Sequence, residues 1–167
     1  MESLDNYIQA LEHLSEKGLV NAYPSILTVK TGEIVFHAED SAEKIFGVKT
    51  GKIQLVRYLE NGQMIHQYAV QSGGWFGERA LFKDAYASCA IAAQPSQLIA
   101  IPKQTFLTLL SHDSDVALRF ISQQIEQLHI AKNIMALRCI RSAHDRVLTY
   151  LHTLKVPDQN TYVLNSP

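Results

Sequence analysis

The stretch Leu55-Val56-Arg57-Tyr58-Leu59-Glu60-Asn61-Gly62-Gln63-Met64-Ile65-His66-Gln67-Tyr68-Ala69-Val70 sets two β-rich runs on either side of Asn61-Gly62. Asn-Gly between two such runs is a strong hairpin signal, because a two-residue type I′ turn needs positive φ at both positions. The same reading extends in both directions. Upstream, Ile26–Val29, Ile34–Phe36, Ile45–Val48 and Ile53–Val56 are short runs parted by Thr31-Gly32, Glu39-Asp40 and Thr50-Gly51-Lys52. Downstream, Cys89–Ala93 and Gln97–Ile101 supply two more. Short strands separated by turn signals at roughly 8 to 12 residues predict an antiparallel sandwich or barrel from Pro24 to Pro102.

Outside that block the period is helical. Leu4, Tyr7, Ile8, Leu11 and Leu14 recur at helical spacing, and Lys17-Gly18 gives a basic last turn and a glycine stop;. This reads as a docking helix without chemistry. Lys103–Leu110 predicts a short helix with Phe106, Leu109 and Leu110 inward. From Ser114 to about Arg141 there is neither glycine nor proline. Within it Leu118, Ile121, Ile125, Leu128, Lys132, Met135 and Cys139 step by three and four, the coiled-coil spacing, and Ile130, Ile134 and Leu137 form a second stripe;. A helix of about 28 residues is about 42 Å long, more than a small sandwich covers. One stripe is therefore expected to pair with a second copy, through Leu118, Ile121, Ile125, Leu128 and Met135. Ser142-Ala143-His144-Asp145 predicts a hinge, with Ser142 capping a new helix that runs to Lys155 and stops at Pro157. Thr161–Leu164 then reads as a strand, and Ser166-Pro167 as a further helix start.

The chain has 167 residues, 47% of them apolar, enough for one substantial core;. Its 15 basic and 16 acidic residues exclude a chain-wide electrostatic footprint for nucleic acid or anionic lipid;. Cys89 and Cys139 lie too far apart in sequence for a CxxC motif; both read as small buried hydrophobes. No run approaches the ~20 apolar residues that span a bilayer, and the acidic start Met1-Glu2-Ser3-Leu4-Asp5 lacks a secretory signal's cationic region. A cytoplasmic chain without membrane contact is expected. A metal cage of the cupin type needs an HxH pair, which does not occur;. The seven histidines are at no ligating spacing, and no nucleophile elbow, P-loop or catalytic carboxylate pair is present;. Neither catalysis, metal nor cofactor is expected.

Five segments carry a family resemblance: Gly32–Phe36, Glu39–Ala42, Val48–Ile53, Trp75-Phe76-Gly77-Glu78-Arg79-Ala80-Leu81-Phe82, and Ser142–Leu148. Their order resembles the Crp/Fnr transcription regulators, named after the cyclic-AMP receptor protein and the fumarate-nitrate regulator. The resemblance implies a mainly β fold with helices: a double-stranded β-helix (jelly roll) of the cyclic-nucleotide-binding type over residues 1–112, a dimerisation helix over 113–141, and the truncated start of a winged helix-turn-helix over 142–167. It implies a homodimer that meets DNA through a C-terminal domain beyond this chain. The alternative is a stand-alone dimeric ligand or interaction module that never touches DNA.

The resemblance places an effector at Phe76, Gly77, Glu78, Arg79, Ala87, Ser88 and Lys132. A short helical turn over Arg79–Lys83 would aim backbone N–H groups at an anion. Glu78 is open to two roles, accepting hydrogen bonds from ligand hydroxyls or bonding local backbone. Two departures matter. Ala87 stands where cyclic-AMP binders carry an arginine, and losing a charge-assisted contact of about 3 kcal/mol weakens binding roughly 150-fold. Ala131 and Lys132 stand where a hydroxyl pair reads adenine. The expected effector is therefore a small anion other than cyclic AMP, held with Lys132, or the pocket is closed.

Overall fold

Alternating apolar residues build two antiparallel sheets that face each other. The computed structural model describes residues 4–20 and 23–153. Its strands are β1 (Ser25–Val29), β2 (Ile34–Phe36), β3 (Lys44–Thr50), β4 (Lys52–Tyr58), β5 (Met64–Gln71), β6 (Trp75–Phe76), β7 (Cys89–Ala92) and β8 (Ser96–Pro102). One sheet has the order β1-β8-β3-β6 and the other β2-β7-β4-β5, the jelly-roll arrangement expected from the sequence. Four helices accompany them among the described residues: α1 (Asp5–Glu16), α2 (Lys103–His112), α3 (Ser114–Arg138) and α4 (Ala143–Thr153).

The core between the sheets holds Phe36, Phe46, Val48, Ile53, Leu55 and Phe76, with Leu98 and Ala100 of β8. Along β8, Ile99 and Ile101 are buried as well, so its apolar run is unbroken. The reason lies on the sheet's other face, where Tyr7 of α1 meets Trp75 at 4.9 Å between ring centroids and Trp75 meets Phe106 of α2 at 5.0 Å. A Cβ on Gly47 would come within 3.0 Å of Leu4, so the missing side chain is what lets the start of α1 approach β3. The glycine stop of α1 takes the expected form. Gly18 has φ +68°, its N–H donates to the Ser15 carbonyl, and the Leu19 N–H donates to that of Leu14, a Schellman ending;.

Between β3 and β4 the chain passes from one sheet to the other through a single residue. Gly51 has φ +98°, and a Cβ there would lie 2.6 Å from the Pro95 carbonyl oxygen. The buried Ser96 hydroxyl accepts from the Lys52 N–H at 3.0 Å beside it.

Three expectations need correction. The β4–β5 hairpin forms, but its turn is not type I′. Among the described residues Glu39 is the only non-glycine with positive φ, so Asn61 is not left-handed. Gly62 alone turns left, at φ +81°, its N–H bonding the Leu59 carbonyl, and Leu59 N–H bonds Gln63 O. This is a longer loop closed by a left-handed glycine, which Asn-Gly serves equally well. The long helix ends at Arg138, short of Arg141: Cys139 and Ile140 donate to carbonyls three residues back, tightening the last turn;. That leaves Cys139 exposed and not in a core, while Cys89 is buried.

Past the break, the Asp145 N–H donates to Ser142 Oγ at 3.2 Å, the capping bond expected at the hinge. The carboxylate of Asp145 lies against His144, 3.2 Å away. The strand and helix start expected at Thr161–Leu164 and Ser166-Pro167, and the stop at Pro157, lie outside the described residues. The chain divides into two compact units, Met1–Ala117 and Leu118–Pro167, with the first turn of α3 in the former. Asp113 holds that turn, its Oδ1 accepting from the Val116 N–H at 3.0 Å.

Candidate functional site

The connection from β6 to β7 carries most of the candidate residues named from the sequence. Phe76 pairs with Phe46 of β3 and is fully buried. Gly77 follows at φ +75°, and a Cβ there would sit 3.3 Å from the Tyr86 ring and 3.4 Å from Phe46. Backbone and space both call for glycine. It opens a single 3-10 turn, Glu78–Leu81, one residue earlier than the short helical turn expected over Arg79–Lys83 and ending two residues sooner. Ala80 N–H donates to the Gly77 carbonyl at 2.9 Å, while the Phe82 and Lys83 N–H groups share that of Arg79.

Glu78 accepts from its own backbone N–H, one of the two roles left open for it. Its other oxygen is different. Oε2 is buried and has no hydrogen-bond partner. Burial pushes the carboxyl above its usual pKa, and what opposes this is the local N–H, not a neighbouring cation;. The phenol of Tyr68 on β5 is held protonated far above its ordinary range, by burial first and by the Glu78 charge second.

The basic residues nearby in sequence do not serve the carboxylate. Arg79 and Lys83 are exposed. Ala87 and Ser88 are half-buried in the bend before β7, and neither carries charge. Lys132 is exposed on the part of α3 that belongs to the other compact unit. Lys103, at the start of α2, lies 3.4 Å from Asp84.

The far end of the connection is tied down on every side. Ala85 bridges to Ser41, Ala42 N–H donates to the Asp84 carbonyl at 2.9 Å, and Glu39 N–H donates to that of Tyr86 at 2.9 Å. The Tyr86 ring stacks on Phe36 with centroids 3.7 Å apart. Its hydroxyl donates to the Lys44 carbonyl at 2.7 Å and accepts from the Lys44 N–H at 3.3 Å. Burial raises the phenol's pKa, and the N–H that Lys44 donates to its oxygen partly offsets the rise.

Sequence reasoning named Phe76, Gly77, Glu78, Arg79, Ala87 and Ser88, and the fold strings them along one connection. It missed Tyr68 and Tyr86. Among the described residues no three histidine, cysteine, aspartate or glutamate side chains are grouped to hold a metal, and no helix is long and apolar enough to cross a membrane.

Residues 26–113 match the family model described as the cyclic nucleotide-binding domain. Over 113 residues, 67% of this chain, the sequence is 26% identical to the cAMP-dependent protein kinase regulatory subunit of Blastocladiella emersonii. The match spans 28% of that relative's length. Among solved structures, a transcriptional regulator from Thermotoga maritima superposes with a TM-score of 0.64 at 18% identity, over 83% of this chain and 98% of that one. The global regulator CLP of Xanthomonas campestris gives 0.65 at 21% identity, over 93% of this chain and 74% of its own. Such identities establish a shared fold. The family model's match takes in more than half of the 167 residues, so the chain belongs to the cyclic nucleotide-binding domain family.

Proposed function

We infer that this chain is the sensory and dimerisation region of a cytoplasmic, DNA-binding transcription regulator of the Crp/Fnr type, and that its effector is not cyclic AMP. The observation that carries the reading is the bare seam on α3. Leu118 is 64% exposed, Ile125 61% and Met135 67%, with Ile121 and Leu128 also exposed. Isolated exposed leucines need no explanation, but an apolar stripe at coiled-coil spacing is the signature of a helix awaiting its partner. A capped break at Ser142 and a further helix after it support a reading head attached there. Regulators with the same fold support it too. Ala87, uncharged, supports the exclusion of cyclic AMP. The work of such a chain is to sense, not to catalyse.

Sedimentation equilibrium tests the reading: a dimer is expected, and Ile125→Asp, which buries a carboxylate in the seam, is expected to weaken it by about 100-fold. A wild-type chain that sediments as a single subunit at high concentration overturns it. The kinase-regulator relative favours a second reading, a ligand module that dimerises without DNA. A full-length gene product that binds no promoter DNA with or without effector would select it.

A further inference from the structure

We propose that the tip of the β4–β5 hairpin is a self-modification site. Asn61 there converts, without an enzyme, to aspartate and isoaspartate through a succinimide closed by the Gly62 backbone nitrogen. Asn61 is the only asparagine in the chain followed by glycine. It sits at the middle of a continuous exposed run, residues 57–68, which covers the outer half of both strands.

Two features of the tip favour the reaction. The Gln63 N–H donates to Asn61 Oδ1 at 2.9 Å, which polarises the amide carbonyl and stabilises the negative charge that builds on that oxygen during attack;. Gly62 has no side chain to hinder its nitrogen, and nothing lies within 4 Å of where a Cβ would be, so the ring closes in open space;. One contact opposes it, because the Gly62 N–H donates to the Leu59 carbonyl at 2.9 Å. That bond lies in solvent with no buried side chain behind it, so opening it slows the attack by only about fivefold. Asn133 provides the contrast. It lies inside α3, where its amide meets His129 Nε2 at 3.1 Å and the β-branched Ile134 follows it, so no ring is expected to close there;.

In the first step the Gly62 nitrogen gives its proton to water and bonds to Asn61 Cγ, while the side-chain nitrogen takes a proton and leaves as ammonia. In the second, water opens either C–N bond of the ring, so the sum is amide plus water giving carboxylate plus ammonium. Opening at Cγ yields aspartate. Opening at the main-chain carbonyl yields isoaspartate, whose backbone runs through the former side chain and is one methylene longer. Either product sets a new negative charge beside Glu60, on a hairpin that presents Tyr58, Met64 and Ile65 to solvent.

The test is incubation of the whole folded chain in heavy-oxygen water, followed by peptide mass spectrometry. The peptide holding Asn61 is expected to gain one heavy oxygen and to split into two chromatographic forms. The folded chain should convert at a rate within about tenfold of the same chain unfolded in guanidinium. Asn61→Gln, whose ring would need an extra member, should stay unmodified at that position, and so should Asn133 in the wild type. A folded wild type that keeps its Asn61 amide while the unfolded chain loses it, or conversion at Asn61 no faster than at Asn133, overturns the proposal.

Discussion

Tyr86 and Glu78 sit at the two ends of one short connection, and each buries a polar oxygen. At Tyr86 the hydroxyl is bonded both as donor and as acceptor to Lys44, and the ring is stacked on Phe36. At Glu78 one carboxylate oxygen has nothing. The first end is finished by the protein itself, and the second is not. A satisfied buried polar group stiffens its surroundings, whereas an unsatisfied one is a standing cost that something outside the chain can remove. The Tyr86 end of the connection is thus internally complete, and the Glu78 end is left with an unpaired oxygen.

The largest effect that bears on this contrast is expected at the finished end. Tyr86→Ala removes a stacked ring and both hydroxyl bonds, and urea unfolding should show a loss of about 3–5 kcal/mol. Tyr86→Phe keeps the ring and should lose only about 1 kcal/mol. Equal losses in the two variants would mean that the hydroxyl, not the ring, holds this end.

Glu78→Gln should act in the opposite sense at neutral pH, stabilising the fold by about 1 kcal/mol through removal of an unpaired buried charge. The pH dependence sharpens this. Burial raises the folded-state pKa of Glu78 above its unfolded value, so the folded chain holds a proton that the unfolded chain has released. The stabilisation from that proton is complete below the unfolded pKa, near 4.3, and disappears as pH rises through the folded value. Wild-type stability relative to Glu78→Gln should therefore fall across that window. A difference that stays constant with pH would show that the carboxylate is solvated after all.

The smallest effect belongs to Lys103. Its side chain is 17% exposed, but Asp84 is fully in solvent, and such a pair contributes little. Lys103→Ala should cost below about 1 kcal/mol by urea unfolding. A larger loss would extend the rigid end of the connection into α2.

Much of the fold was legible because period-two runs and glycine turns are local. Ile53 and Leu55 face inward as alternation predicts, and Gly18 ends α1 as a glycine stop should. β6 was not legible, since two residues carry no period; Trp75-Phe76 becomes a strand only by pairing with β3. Asn61-Gly62 marked the turn without fixing its type, because the pair suits two loops of different length. In the site, Glu78 was found through its neighbours in sequence. Tyr68 and Tyr86 were not, because what defines them is distant in sequence. The Tyr86 hydroxyl meets backbone 42 residues away, and Tyr68 comes under the Glu78 charge only once β5 has been laid beside β4. The naked oxygen of Glu78 is likewise a property of packing that no motif encodes.

Gly51 makes the crossing between the two sheets with no slack. Lengthening it by one residue would not simply enlarge a loop. It would turn β4 over, sending Lys52 and Gln54 inward and Ile53 and Leu55 out, because side chains alternate with every step along a strand. Diversity of length among related chains should thus gather at the tip beyond Tyr58 and avoid this corner, which works as a fixed pivot for both halves of the sandwich.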